Sequence, residues 1–224
     1  MIDNYKLGMK MLRYGSGLVG TIVCTIFFLV LGLAMNIGYT SFGIAGTPGD
    51  IMLMVIAMLP VQVIYSLSVS NLVQSSPAKK RMQTSVPTTV TCFNMIALCL
   101  INSLFKGIAM TGHPEFIVTA CSEMVTLAGF AVFVMLYIAL AYKYFWTSII
   151  AGIMVYFFTS ARLNAINHIQ FGIFDNSVSS FVLALAISLI LIVLGGFGQY
   201  ALSLLVYKAP MSKYAQSAAV RKEM

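Results

Sequence analysis

Residues 176–207 read NSVSSFVLALAISLILIVLGGFGQYALSLLVY, an apolar run that contains no charged side chain. A helix needs about 20 apolar residues to cross the hydrocarbon core of a bilayer, and this run exceeds that length. Further uncharged runs lie at 14–49, 51–78, 82–105, 124–142 and 144–161. The pattern predicts an all-α, polytopic membrane protein with six transmembrane helices.

The composition leads to the same class. Of the 224 residues, 60% are hydrophobic and only 8% are charged, whereas a soluble domain carries about 25% charged residues. Little chain is left for a separate cytoplasmic enzyme, so we predict a single transmembrane domain over residues 1–224. We place the spans near 17–37, 50–72, 87–106, 117–141, 145–161 and 178–206, with an interfacial segment at 1–15 and a cytoplasmic tail at 207–224.

Lysine and arginine are distributed unevenly between the two sets of connections. Eleven of the 13 basic residues fall at the N-terminus, after the second span, after the fourth span and in the C-terminal tail. Cytoplasmic connections carry an excess of basic residues, so both termini are predicted to be cytoplasmic. The external side keeps Lys106 and Arg162, together with Asp50. The net charge of +7 follows from this topology and from anionic cytoplasmic lipid, and we expect no nucleic-acid partner.

The N-terminal segment is amphipathic. Its apolar residues follow helical spacing at Ile2, Tyr5, Met9 and Leu12. Its basic residues form a second face with Lys6, Lys10 and Arg13. This pattern predicts a short helix that lies in the membrane plane. The alternative is an ordinary basic flank without a fixed helix.

The connection after the second span reads QSSPAKKRMQTSVP at residues 74–87. Ser76 is a good N-cap, and Pro77 would occupy the first helical position. The residues that follow are mostly strong helix formers, and Pro87 would end the stretch. We predict a cytoplasmic helix of about two turns at 76–86. The alternative is a basic loop anchored to lipid.

The connection between the fifth and sixth spans, RLNAINHIQFGIFDNSV at 162–178, mixes apolar with polar side chains. A simply hydrophilic loop would not carry so many apolar residues. Because backbone at membrane depth must be protected by protein, we predict a re-entrant or amphipathic element here.

Familiar catalytic motifs are missing from the sequence. It has no G-x-x-x-x-G-K-[ST] phosphate loop, no G-x-G-x-x-G, no H-E-x-x-H and no G-x-S-x-G. The four cysteines lie in apolar runs and form no C-x-x-C pair, which argues against a metal site. We therefore expect a non-catalytic chain without catalytic residues, metal or cofactor of its own.

Four polar residues within the spans are candidates for a substrate path. Glu123 is the only acidic residue well inside a predicted span, and such groups often face a wet cavity. The alternative for Glu123 is that it reaches the headgroup region. Asn94, Asn102 and Gln199 are uncharged, and hydrogen bonding between helices is their usual role. Gly195 and Gly196 permit close helix packing or a bend.

These features form a combination: an in-plane N-terminal helix, six spans with both ends inside, a capped helix between spans two and three, and an amphipathic element between spans five and six. The combination resembles the permease subunit of ATP-binding-cassette transporters of the type-2, exporter-like family. The QSSPAKKRMQTSVP segment looks like that family's short proline- and basic-rich segment after the second span. The resemblance covers essentially the whole chain.

The resemblance implies that residues 76–86 are a coupling helix, which docks on a separate ATPase subunit. The coupling residues would be Ser76, Pro77, Lys79, Lys80, Arg81 and Gln83. ATP and Mg would be bound by that partner, and a second permease copy or paralogue would complete the membrane domain. The location implied is a bacterial cell membrane, and the substrate an amphipathic peptide, drug or lipid.

Two other functions remain open at this point. One is the substrate-binding membrane component of an energy-coupling-factor-type uptake system, which also borrows an external ATPase. The other is a non-enzymatic membrane immunity or assembly factor, which needs no ATPase.

Overall fold

The computed structural model describes residues 2–13, 18–41, 48–68, 71–112, 117–141 and 173–208. These residues form helices and no strand. In chain order the helices are α1 (Ile2–Leu12), α2 (Leu18–Ser41), α3 (Pro48–Ser68), α4 (Asn71–Gln74), α5 (Lys79–Gln83), α6 (Ser85–Gly112), α7 (Ile117–Ala141) and α8 (Val178–Tyr207). The all-α expectation is confirmed for this part of the chain.

Within the described ranges, four apolar stretches are long enough to cross a membrane. They are Leu18–Asn36, Lys79–Ile108, Ile117–Leu140 and Val178–Tyr207. Helix α3 adds a shorter apolar section, Ile56–Tyr65. The chain is therefore a helical membrane protein. The predicted span at 145–161, most of the element at 162–178 and nearly all of the tail at 207–224 lie outside the described residues.

Side-chain contacts give the helix directions. Helix α2 forms an antiparallel hairpin with α3, because Gly32 lies against Leu53, while Asn36, later in α2, lies against Gly49, earlier in α3. Helix α8 runs antiparallel to α6, since Gly107 faces Phe181 and Gly196 faces Cys92.

Helices α7 and α8 run parallel and pack more extensively than any other pair in the described chain. A methyl group added at Gly195 would lie 3.2 Å from the Cα of Val132, and one added at Gly198 would lie 3.1 Å from Leu136. Glycine lets the two backbones approach closely, as in other membrane helix pairs. Of the two roles left open for the glycines of the last span, close packing or a bend, these contacts show close packing.

Helix α1 packs against α6 and α3. Gly8 and Leu12 are buried, and a methyl group added at Gly8 would lie only 2.6 Å from Val90. The ring of Tyr5 lies 5.2 Å, between centroids, from that of Phe93. Ile2 and Met9, by contrast, are exposed. The face that packs is thus centred on Gly8, which an apolar pattern cannot reveal because glycine has no side chain.

The predicted caps of the helix after the second span are wrong. Ala78 is the N-cap of α5, while the Ser76 hydroxyl accepts a hydrogen bond from the Ala78 N–H at 3.1 Å. Serine closes such short turns onto the amide two residues later, so the helix begins later than expected. Pro87 does not end the stretch, because α6 already begins at Ser85. In the first turn of a helix proline loses no hydrogen bond.

The start of helix α8 is capped by a serine side chain. Ser177 has extended backbone, and its hydroxyl accepts a hydrogen bond from the Ser180 N–H at 3.3 Å. Just before it, Phe174 is buried against Ile117, Cys121 and Ala184. This contact fixes the start of α8 beside the start of α7.

Candidate functional site

Five charged and amide side chains are buried together where four helices meet. They are Asn36 on α2, Asp50 on α3, Asn102 and Lys106 on α6, and Glu123 on α7. We call this group the charge cluster. Ionisable residues inside membrane helices are rare, and they commonly mark ion or substrate pathways.

The Lys106 ammonium group lies between two carboxylates. Its Nζ is 2.9 Å from the Asp50 Oδ2 and 2.6 Å from the Glu123 Oε2. The side chain of Asp50 is 0% exposed, that of Lys106 10% and that of Glu123 8%. The two ion pairs therefore tie α3, α6 and α7 together, away from water.

The two asparagines extend the cluster to α2. The Asn36 Nδ2 donates to the Asp50 Oδ1 at 2.9 Å and is 3.3 Å from the Asn102 Oδ1. Gly49, the residue before Asp50, makes room for this arrangement, because a methyl group there would overlap the Asn36 side-chain oxygen. Interhelical hydrogen bonding, the usual role of Asn102, is confirmed.

The charges of the described cluster do not balance. Two carboxylates face one ammonium group, which leaves one excess negative charge in a buried position. The second carboxylate oxygen of Glu123, Oε1, is buried and has no hydrogen-bond partner among the described residues. An uncompensated buried charge is costly, and such a group normally binds a counter-charge.

The cluster lies towards one end of the bundle. Asp50 is in the first turn of α3, Glu123 is in the second turn of α7, and Lys106 is near the end of α6. Helix α5 lies at the opposite end, since it leads directly into the start of α6.

A small cavity adjoins the cluster. Its volume is about 20 Å³, room for a water-sized molecule. Asp50 and Asn102 form its polar part. The remaining lining is mostly apolar and comes from Leu53, Met95, Leu98, Cys99, Met124, Leu127, Ala128, Ala131 and Ile192.

The predicted path residues do not form one site. Glu123 and Asn102 belong to the charge cluster. Gln199 is buried elsewhere, where its Nε2 lies 3.4 Å from the Thr91 Oγ1 and links α8 to α6. Asn94 is half-buried on α6, two turns from Asn102.

Sequence reasoning missed the partners of Glu123. Asp50 and Lys106 stood at the margins of predicted spans and were assigned to external connections. The sequence could have revealed them, because the predicted topology places Asp50, Lys106 and Glu123 on the same side of the membrane and at similar depth. A pair of opposite charges at such positions predicts an interhelical ion pair.

The predicted coupling residues lie at the other end of the bundle, on and before α5. Pro77, Lys80 and Arg81 are exposed, while Ser76 and Lys79 are half-buried. Gln83 is buried, and its Nε2 donates to the Ser68 carbonyl oxygen at 3.3 Å. Only the first part of the predicted set is therefore available to a separate partner.

Helix α5 is held on several sides. Met82 is buried in the hydrophobic core. The Arg81 Nε donates to the Asn4 Oδ1 at 2.7 Å, which connects α5 to α1. The Gln83 Nε2 bond to the Ser68 carbonyl oxygen connects α5 to the end of α3. The short basic helix is thus fixed in position on the bundle.

Comparison of the chain with protein-family models, with curated proteins and with solved structures finds no match. The class that the fold defines is a helical membrane protein with a buried charge cluster at one end and a fixed basic helix at the other.

Proposed function

We propose that the chain is the permease subunit of an ATP-binding-cassette transporter. It exports an amphipathic or hydrophobic substrate with ATP hydrolysed by a separate subunit. A second permease copy or paralogue completes the membrane domain. The observation that carries this proposal is helix α5, a fixed basic helix at one end of the bundle.

A basic loop that only sets topology needs its lysines but no fixed structure. Helix α5 has more than that: Met82 and Gln83 anchor it from inside, and Arg81 links it to α1. The exposed side chains of Pro77, Lys80 and Arg81 then form a small rigid surface. A rigid contact of this kind suits the transfer of a movement from a partner to α3 and α6.

The directions of α7 and α8 support six spans. Both helices begin at the same end of the bundle, as the contacts of Gly195 with Val132 and of Gly198 with Leu136 require. The chain leaves α7 at the end where α5 lies and enters α8 at the other end. We propose that one further span, near 145–161, returns it. With α2, α3, α6, α7 and α8 this gives six spans and puts both termini on one side, which we propose is the cytoplasmic side of a bacterial cell membrane.

The experiment that tests the proposal is purification of the tagged chain from its native host in mild detergent. We expect a nucleotide-binding chain to copurify and the complex to hydrolyse ATP. Lys80→Ser should reduce the amount of this partner, whereas Lys10→Ser, which changes an exposed lysine of α1, should leave it unchanged.

Recovery of the folded chain without any ATP-hydrolysing partner would contradict the proposal and favour a membrane immunity or assembly factor. Equal recovery of the ATPase with both variants would remove Lys80 from the contact. Import of a vitamin or metal ion by the purified complex would point instead to an energy-coupling-factor-type uptake system.

A further inference from the structure

We propose that the charge cluster is a binding site for one exchangeable monovalent cation, either a proton or an alkali-metal ion. The proposal concerns the end of the bundle opposite α5 and does not depend on the ATPase partner. It rests on the excess charge of the cluster, on the free oxygen of Glu123 and on the adjoining cavity.

The net charge of the cluster indicates that the bound cation is monovalent. Asp50 and Glu123 carry two negative charges and Lys106 one positive charge, and all three side chains are at least nine-tenths buried. A single positive charge makes the cluster neutral, whereas a divalent ion would overcharge it. Because a buried net charge is costly, the neutral cluster is the more stable form.

Two features at the cluster could take the added charge: the free oxygen of Glu123 and, separately, the cavity beside Asp50 and Asn102. Lys106 already occupies the space between Asp50 Oδ2 and Glu123 Oε2. The Glu123 Oε1 is buried and has no hydrogen-bond partner in the described chain, so it can accept a proton or ligate an ion. Asp50 and Asn102 line the cavity, which has room for a water-sized occupant.

The described residues around the cluster include few other groups that could supply the charge. On α6 the nearest titratable neighbour along the cavity is Cys99, and on α7 Cys121 is buried two residues before Glu123. Helix α2 contributes Asn36, which does not titrate, and α8 places Phe181 against Gly107. Among the described residues, Lys106 is the one cation that contacts either carboxylate.

Occupancy of this site has a structural consequence. With the cation bound, the ties between α3, α6 and α7 carry no net charge and hold the helices together at this end of the bundle. Loss of the cation leaves one net negative charge buried among the same helices, which makes their packing at this end of the bundle less favourable. The site therefore couples cation binding to the packing of three helices.

The test uses the full chain in lipid nanodiscs, as wild type, as Glu123→Gln and as Asp175→Asn. Glu123→Gln removes the excess charge and keeps the shape of the side chain. Asp175→Asn removes an exposed charge before α8 and is the control. Infrared difference spectroscopy detects the carbonyl stretch of a protonated carboxyl group at neutral pH. Thermal unfolding is measured with sodium chloride and with choline chloride at equal ionic strength.

If the ligand is a proton, wild type and Asp175→Asn show the protonated carboxyl band and Glu123→Gln lacks it. If the ligand is an alkali-metal ion, sodium raises the unfolding temperature of wild type and Asp175→Asn relative to choline, with a concentration dependence for one ion, and Glu123→Gln loses the effect. The proposal is overturned if wild type shows neither signal, or if the signal persists in Glu123→Gln. Should that variant fail to insert, Asp50→Asn removes the same unit charge and is scored in the same way.

Discussion

Lys106 connects three helices through one side chain, and its value to the fold depends on its two carboxylate partners. A buried ion pair gains little over a well-packed apolar contact, because both charges lose their hydration. Removal of one partner is far more costly, since the other charge stays buried without compensation. At Lys106 two carboxylates would be left, Asp50 and Glu123.

We predict that Lys106→Met lowers the free energy of unfolding by about 3–5 kcal/mol, the usual cost of breaking a buried ion pair. The matched control is Lys80→Met, which changes an exposed lysine of α5. Denaturant titration in mixed micelles measures both. Adding Asp50→Asn and Glu123→Gln to Lys106→Met should restore much of the loss, because no unpaired carboxylate remains. A cost equal to that of the control would contradict the ion-pair account.

The sequence predicted only two of the five residues of the charge cluster as site residues. Glu123 and Asn102 stood out because they lie well inside predicted spans. Asp50 and Lys106 stand at the first and last residues of predicted spans, where a charge normally belongs to a loop. Their burial follows from tertiary contacts between segments far apart in the chain, which periodicity does not encode. Helix α6 also continues past Lys106 to Gly112, which brings the lysine inside the bundle.

Among the elements, the parallel pair α7 and α8 depends on glycine. The backbone of α7 at Val132 lies so close to Gly195 that a larger residue must push the helices apart. Gly129, on α7 itself, faces open space and has no such neighbour. The two positions carry the same residue in the same secondary structure, so they separate packing from helix propensity.

We predict that Gly195→Val destabilises the protein by roughly 1–3 kcal/mol through overpacking. Gly129→Val, which makes the same change of helix propensity, should have little effect. Thermal unfolding of the two purified variants provides the comparison. Equal unfolding temperatures would show that α7 and α8 do not depend on close contact at Gly195.

The element boundaries show what local sequence rules can and cannot give. Ser177 immediately precedes α8 and caps it, as serine commonly does. The same type of signal failed at Ser76, where Pro77 shapes a tight turn and α5 begins two residues later. Pro87 was taken as a stop signal, but a proline near the start of a helix is equally compatible with its first turn. Such local signals indicate that a helix boundary is near, but not whether a helix begins or ends there.

At the scale of the whole molecule, α2 presents most of its apolar surface to the outside. Val19, Val23, Phe27 and Val30 are all more than half exposed. Lipid covers such a surface without cost, so it agrees with a membrane location. The asymmetry of the molecule lies along its long axis, with the charge cluster at one end and α5 at the other.

We predict that the two ends face opposite sides of the membrane. In a cysteine-free background, Asp175→Cys should react with a membrane-impermeant maleimide added to intact cells. Lys80→Cys should react only after the cells are permeabilised. Both positions are exposed, so a difference in labelling reports sidedness. Labelling of both from the same side would contradict the helix directions and the six-span topology.

The proposed contact between α5 and an ATPase subunit can be tested with a photo-crosslinking amino acid in place of Lys80, with the same substitution at Lys10 on α1 as the control. After irradiation of native membranes, we predict a crosslinked product between position 80 and a nucleotide-binding chain, and none from position 10. A product from position 80 that contains only lipid or a second copy of this chain would contradict the proposed contact.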